Sequence, residues 1–131
     1  MTAEETKVAF IAERLSTDLK LLLCQLVLES DPNETWHTLT NSFLNHPLVT
    51  KLHATESENL AQNITETTIP AIVKHIVHST VASEYTPELG VSSSAEPLAR
   101  TCASLAKTRA AELHRALEKQ RREFASLLRT V

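Results

Sequence analysis

A chain of 131 residues, 42% hydrophobic and 22% charged, is long enough to bury a core without metal or disulfide support and too apolar to be read as disordered. Its single glycine, Gly90, disfavours phosphate-cradling loops, nucleophile elbows and tight hairpins, and with them most nucleotide-binding and α/β enzyme architectures. The formal charge of −3 conceals a split: residues 1–96 carry 13 acidic and 5 basic side chains, net −8, whereas residues 97–131 carry 3 and 8, net +5. One end of the chain is built to attract the other, or to attract a partner.

Thr2 followed by Glu5 has the form of a capping box and sets a helix start at the N-terminus. Val8, Ala12, Leu15, Leu19, Leu22 and Leu26 then recur by fours and threes, which predicts one helix over 2–30. Its second half is apolar nearly all round, so Phe10, Leu21, Cys24 and Leu28 form a second apolar face away from that seam. Either the rest of the chain covers this face or another subunit does. Asp31, Pro32 and Glu34 spell a helix start by cap, first-position proline and third-position glutamate, giving a short helix over 32–45. Trp36, Leu39 and Phe43 share one side of it, and Asn45-His46-Pro47 stops it.

Residues 48–56 carry only enough pattern for a turn of helix. A longer pattern covers 57–84, with an interruption expected at Pro70, where a proline inside a helix would remove a hydrogen bond, and with Thr68 as N-cap of the second part. That part places Ile69, Ile72, Val73, Ile76, Val77 and Val81 on one face. Residues 85–95, with Pro87, Gly90 and Ser92 to Ser94, read as a flexible interhelical loop.

The last helix, over 95–130, has the most regular pattern. Ala99, Ala103, Ala106, Ala110, Leu113, Leu117, Gln120, Phe124, Leu127 and Val131 form a heptad seam with one polar member. The four alanines suit close packing inside the bundle, Leu98, Cys102 and Leu105 widen that half into a broad, core-like face, and 113–131 has the look of a coiled-coil extension. One flank of the seam is basic at every seventh residue, Arg100, Lys107, His114 and Arg121, before Leu128; the other reads Cys102, Arg109, Ala116, Glu123 and Thr130. Two copies of this helix would find no attractive ion pair in parallel and would set basic against basic in antiparallel, so self-association through the seam is disfavoured.

No pattern assigns a catalytic residue, a cofactor or a metal. Of six histidines only His75 and His78 have ligand-like spacing, and no cysteine or acidic cluster joins them. Cys24 and Cys102 lack CxxC spacing and suit a reduced, intracellular protein, cytoplasmic or nuclear. The N-terminal MTAEETKV is acidic where a mitochondrial presequence is Arg-rich, and no apolar run approaches the ~20 residues of a membrane span.

These features predict an all-α protein: a single helical domain over 1–131, built as an elongated antiparallel bundle of four main helices. The expected function is non-enzymatic, a protein-protein interaction or scaffold subunit of a larger complex that meets its partners through Phe10, Leu21, Cys24 and Leu28 and through Leu117, Gln120, Phe124 and Leu127. The alternative is a nucleic-acid-binding bundle that uses Arg115, Lys119, Arg121, Arg122 and Arg129 on phosphates.

Overall fold

The computed structural model describes residues 3–31, 33–52, 55, 62–86, 89 and 95–130. Every regular element among them is helical: α1 (Ala3–Arg14), α2 (Thr17–Leu28), α3 (Trp36–Leu44), one π-helical turn at Leu48–Leu52, α4 (Ile69–Val81) and α5 (Ala95–Thr130). The chain is all-α, and α5, with 36 residues, is the long member of the bundle.

The stretch expected as one helix over 2–30 is two. Ser16 stands between α1 and α2 in extended conformation, φ −66° and ψ 160°. Its hydroxyl donates to Asp18 Oδ1, and the same oxygen accepts from Leu19 N at 3.0 Å. A carboxylate in the first turn is favoured by the helix dipole, so Ser-Thr-Asp starts a new helix where the apolar spacing runs on unbroken. The break divides the work: α1 packs chiefly on α4, and α2 chiefly on α5. Thr2, the expected first cap, lies outside the described residues.

The start expected at Asp31 belongs to a turn. Asp31 Oδ1 accepts from Asn33 N at 3.0 Å, an Asx arrangement that competes with helix. Thr35 is the cap instead, its Oγ1 accepting from Thr38 N at 3.2 Å; Pro32 lies outside the described residues. α3 ends at Leu44 as its sequence requires, and Leu48 N donates to His46 Nδ1 at 3.1 Å beyond it.

Within 57–84 the interruption precedes Pro70. Residues 57–61 lie outside the described ones, Gln62 and Asn63 are helical, and the chain turns through 64–68. Pro70 then occupies the first turn of α4, where its missing N–H costs nothing. Thr68 holds the cap position with an αR backbone, and its Oγ1 accepts from Thr65 N at 2.9 Å rather than from α4. α4 ends at Val81, short of the expected Glu84, because Ala82 turns left-handed at φ 53° and ψ 32°.

Alanine in that conformation costs about 1–2 kcal/mol, and glycine's larger unfolded-state entropy offsets only part of the gain from relieving it, about 0.5–1 kcal/mol. Ala82→Gly is therefore expected to raise Tm by roughly 2–4 °C, as thermal unfolding followed by circular dichroism would show. An unchanged or lower Tm would mean that Ala82 bears no strain.

The core is one apolar cluster drawn from α1 to α5. It holds Val8, Ile11, Ala12 and Leu15 from α1, Leu19, Leu23, Cys24 and Val27 from α2, and Leu39 and Phe43 from α3. Ile69, Ile72, Val73, Ile76 and Val77 of α4 enter it as the sequence predicts, with Leu98, Cys102 and Leu105 from α5. Trp36 is half-buried against its edge, and so is Leu89. Tyr85 is buried too, so the segment expected as a flexible loop over 85–95 is pinned at its first residue; Pro87, Gly90 and Ser92 to Ser94 lie outside the described residues. Thr101 is fully buried without penalty, because its Oγ1 donates to Pro97 O at 2.8 Å within its own helix. At the margins, His75 Nε2 lies 3.9 Å from Glu13 Oε1, between α4 and α1. Arg109 Nη2 lies 4.0 Å from Asp18 Oδ2, where α5 leaves α2.

Candidate interaction surface

An α-helix turns 100° per residue, so Leu98, Thr101, Cys102 and Leu105 form one stripe and the heptad seam another, about 90° away around α5. The helix packs on the bundle with the first stripe, all four of whose members are buried. The seam is not used. Ala99, Ala103, Ala106, Ala110, Leu113, Leu117, Gln120, Phe124 and Leu127 are all exposed, and Val131 lies outside the described residues.

Leu98, Cys102 and Leu105 are buried as expected, but the alanine half of the seam, expected to pack inside the bundle beside them, is not. The larger side chains of Leu98, Cys102 and Leu105 release more free energy on burial than an alanine edge would. They take the inner position, and the seam is left outside along its length.

The helix also outruns its bundle. Beyond Glu112 every described side chain is exposed except Glu118, which is half-buried beside Arg121 with Arg121 Nη1 at 3.3 Å from Oε1. About 18 residues, or roughly 27 Å of helix at 1.5 Å per residue, therefore stand clear of the core. Phe124 keeps 64% of its surface and Leu127 65%. Leu113, a seam residue outside the expected partner-binding set, and Leu128 are exposed as well. Leu128 falls on a flank by its heptad position, yet it borders the same apolar stripe, one turn from Phe124.

The residues expected on the first helical surface do not come together in this way. Phe10 is on α1 and 55% exposed, with the Arg14 guanidinium 4.2 Å from its ring centroid, a cation–π contact that covers part of one ring face. Leu21 and Leu28 are half-buried against the core. Cys24 is fully buried and leaves the list of surface residues: α2 is flanked by α3, α4 and α5, so its own chain covers that side. Both thiols are free. Burial pushes the Cys24 thiol far above its ordinary value, the nearby Cys102 adds to this, and Lys20 partly opposes it. Burial likewise pushes Cys102 up to about 11, with Glu29 adding to it.

The five cationic residues singled out for phosphate contact, Arg115, Lys119, Arg121, Arg122 and Arg129, are all exposed. By helical angle Arg115, Lys119, Arg122 and Arg129 share the back of the projecting half, away from the apolar stripe, while Arg121 sits on the stripe's flank. The structure therefore separates the basic back from the apolar front.

Among the described residues no three His, Cys, Asp or Glu side chains converge as a metal site requires, and no helix is long and apolar enough to cross a membrane. Comparison of the chain with protein-family models, with curated proteins and with solved structures finds no match.

Proposed function

We propose that the chain is a non-enzymatic helical interaction subunit of a larger intracellular assembly, cytoplasmic or nuclear, docked through the exposed stripe of α5. One observation carries this reading: α5 packs on its bundle with one face and holds a separate heptad stripe uncovered from Ala99 to Leu127. Large apolar side chains repeated on an exposed helical line favour a partner surface over water. Two free, buried thiols suit a reducing compartment.

The test uses the whole chain as bait, in wild-type form and as Leu117→Asp/Phe124→Asp. Both positions are exposed, so the variant is expected to keep the wild-type circular dichroism spectrum and Tm. It should lose the proteins that the wild type captures specifically. Equal recovery by both baits would overturn the reading.

A second reading rests on the four cations at the back of the projecting half, which are concentrated enough to meet several phosphates. Glu118 and Glu123 interleave with them, and no aromatic residue there offers bases a platform. The interaction reading therefore expects no binding of labelled DNA or RNA tighter than roughly 100 μM near physiological salt. Micromolar binding that weakens steeply between two salt concentrations would replace it.

A further inference from the structure

The exposed stripe of α5 is bordered unequally. On one flank Arg100, Lys107, His114 and Arg121 stand seven residues apart, so they fall in a near-straight line beside the stripe; all four are exposed, with Arg100 Nη2 donating to Ser83 Oγ at 2.8 Å and Arg121 Nη1 3.3 Å from Glu118 Oε1 within the chain. On the other flank the chain itself occupies the proximal half: Cys102 is buried in the core, and Arg109 is held near Asp18 at 4.0 Å and Glu112 at 3.9 Å. Farther along, that side continues with Ala116 and Glu123. A helix lying in the stripe would thus meet a basic rail along one edge for its whole length, and bundle or acidic residue along the other.

We propose that the stripe takes an amphipathic helix of another protein, one that presents a row of acidic side chains to Arg100, Lys107, His114 and Arg121. This rests on the reading of α5 as a docking surface and adds the partner's chemistry. Charge pairing disfavours the nearest alternative occupant, a second copy. In a parallel pair Arg109 would face His114 and Ala116 would face Arg121, and in an antiparallel pair one basic rail would face the other. The stripe also grades the fit. Its alanines let a partner backbone approach closely, Leu113, Leu117, Phe124 and Leu127 offer knobs to a wider interface, and Gln120 selects a polar group opposite.

The experiment titrates the full chain with two synthetic helices of about 28 residues, four heptads long. Both carry the same leucine and alanine seam; one has glutamate on its flanks and the other lysine. The glutamate peptide is expected to bind with a Kd of about 1–10 μM, and the lysine peptide roughly tenfold or more weakly, with the difference shrinking as salt is raised. Lys107→Glu/Arg121→Glu should reverse the preference, and Phe124→Asp should abolish binding of both. Equal affinity for the two peptides would overturn the acidic-partner rule and leave the docking surface standing. Binding of neither would overturn both. A doubled mass in sedimentation that returns to one chain in Phe124→Asp would assign the stripe to a second copy and overturn the proposal.

Discussion

Leu23→Ala is expected to cost about 3–5 kcal/mol of unfolding free energy, whereas Phe124→Ala, which removes more apolar volume, should cost less than about 0.5 kcal/mol. Leu23 is fully buried in α2 at the centre of the cluster, so truncation forfeits its transfer free energy and leaves a cavity that close-packed neighbours fill poorly. Phe124 keeps most of its surface exposed on the projecting half of α5, and its replacement improves helix propensity. Urea denaturation of the two single variants checks this, with the midpoint shift converted at constant slope. A loss of more than about 1.5 kcal/mol for Phe124→Ala would mean that the far end of α5 is covered in solution by its own chain or by a second copy, and would remove the free stripe on which the function rests.

Alkaline pH should unfold the protein through its two thiols. An unfolded cysteine ionises near 9.0, whereas burial holds Cys102 protonated to about 11 and Cys24 well beyond that. Both folded-state values are raised, so the thiols leave stability unaffected below about pH 8 and reduce it as pH rises through 9. The slope approaches roughly 1.4 kcal/mol per pH unit for each thiol, and the share of Cys102 levels off above about pH 11. Urea midpoints measured from pH 8 to 10.5 on the wild type and on Cys24→Ala/Cys102→Ala isolate the effect, because lysine and tyrosine titrations are common to both. The wild type should fall more steeply by up to about 2.7 kcal/mol per pH unit. Parallel curves would show that the thiols reach water in the folded state.

The sequence makes α5 legible down to its boundaries, and Leu98, Cys102 and Leu105 as core-like, but not that the alanine seam beside them stays outside. Spacing reports that an apolar stripe exists; the partner elements choose among stripes. Here the stripe with the best period has alanine at four of its ten positions, and alanine gains little by burial. The stripe actually chosen includes Thr101, a residue that a hydrophobic count scores as polar and that its bond to Pro97 O makes acceptable inside. The same limit hid the break at Ser16: the apolar series runs through it without a missed beat, while the local chemistry of Ser16 and Asp18 decides the ends of α1 and α2. At Asp31 local chemistry points to a helix that does not form, since a good cap residue can equally close an Asx turn, and here it does. The buried face of α4 is legible although its β-branched residues also suit a strand, because their helical spacing is better than their alternation. The cationic back and apolar front of the projecting half were legible as residues, and their separation onto opposite sides follows from the helix period alone.

The overhang of α5 also makes it a lever. It is clamped through Leu98, Thr101, Cys102 and Leu105 and steadied near Arg109; beyond Glu112 nothing in the described chain fixes its direction. Leu127 lies about 22 Å past that fulcrum, so a tilt of about 10° at the clamp would carry it roughly 4 Å. Repacking at Leu98 or Leu105 that leaves stability nearly intact can therefore misplace a docking residue it never touches. The aim of the arm is set where it is buried, and its errors are felt at the tip.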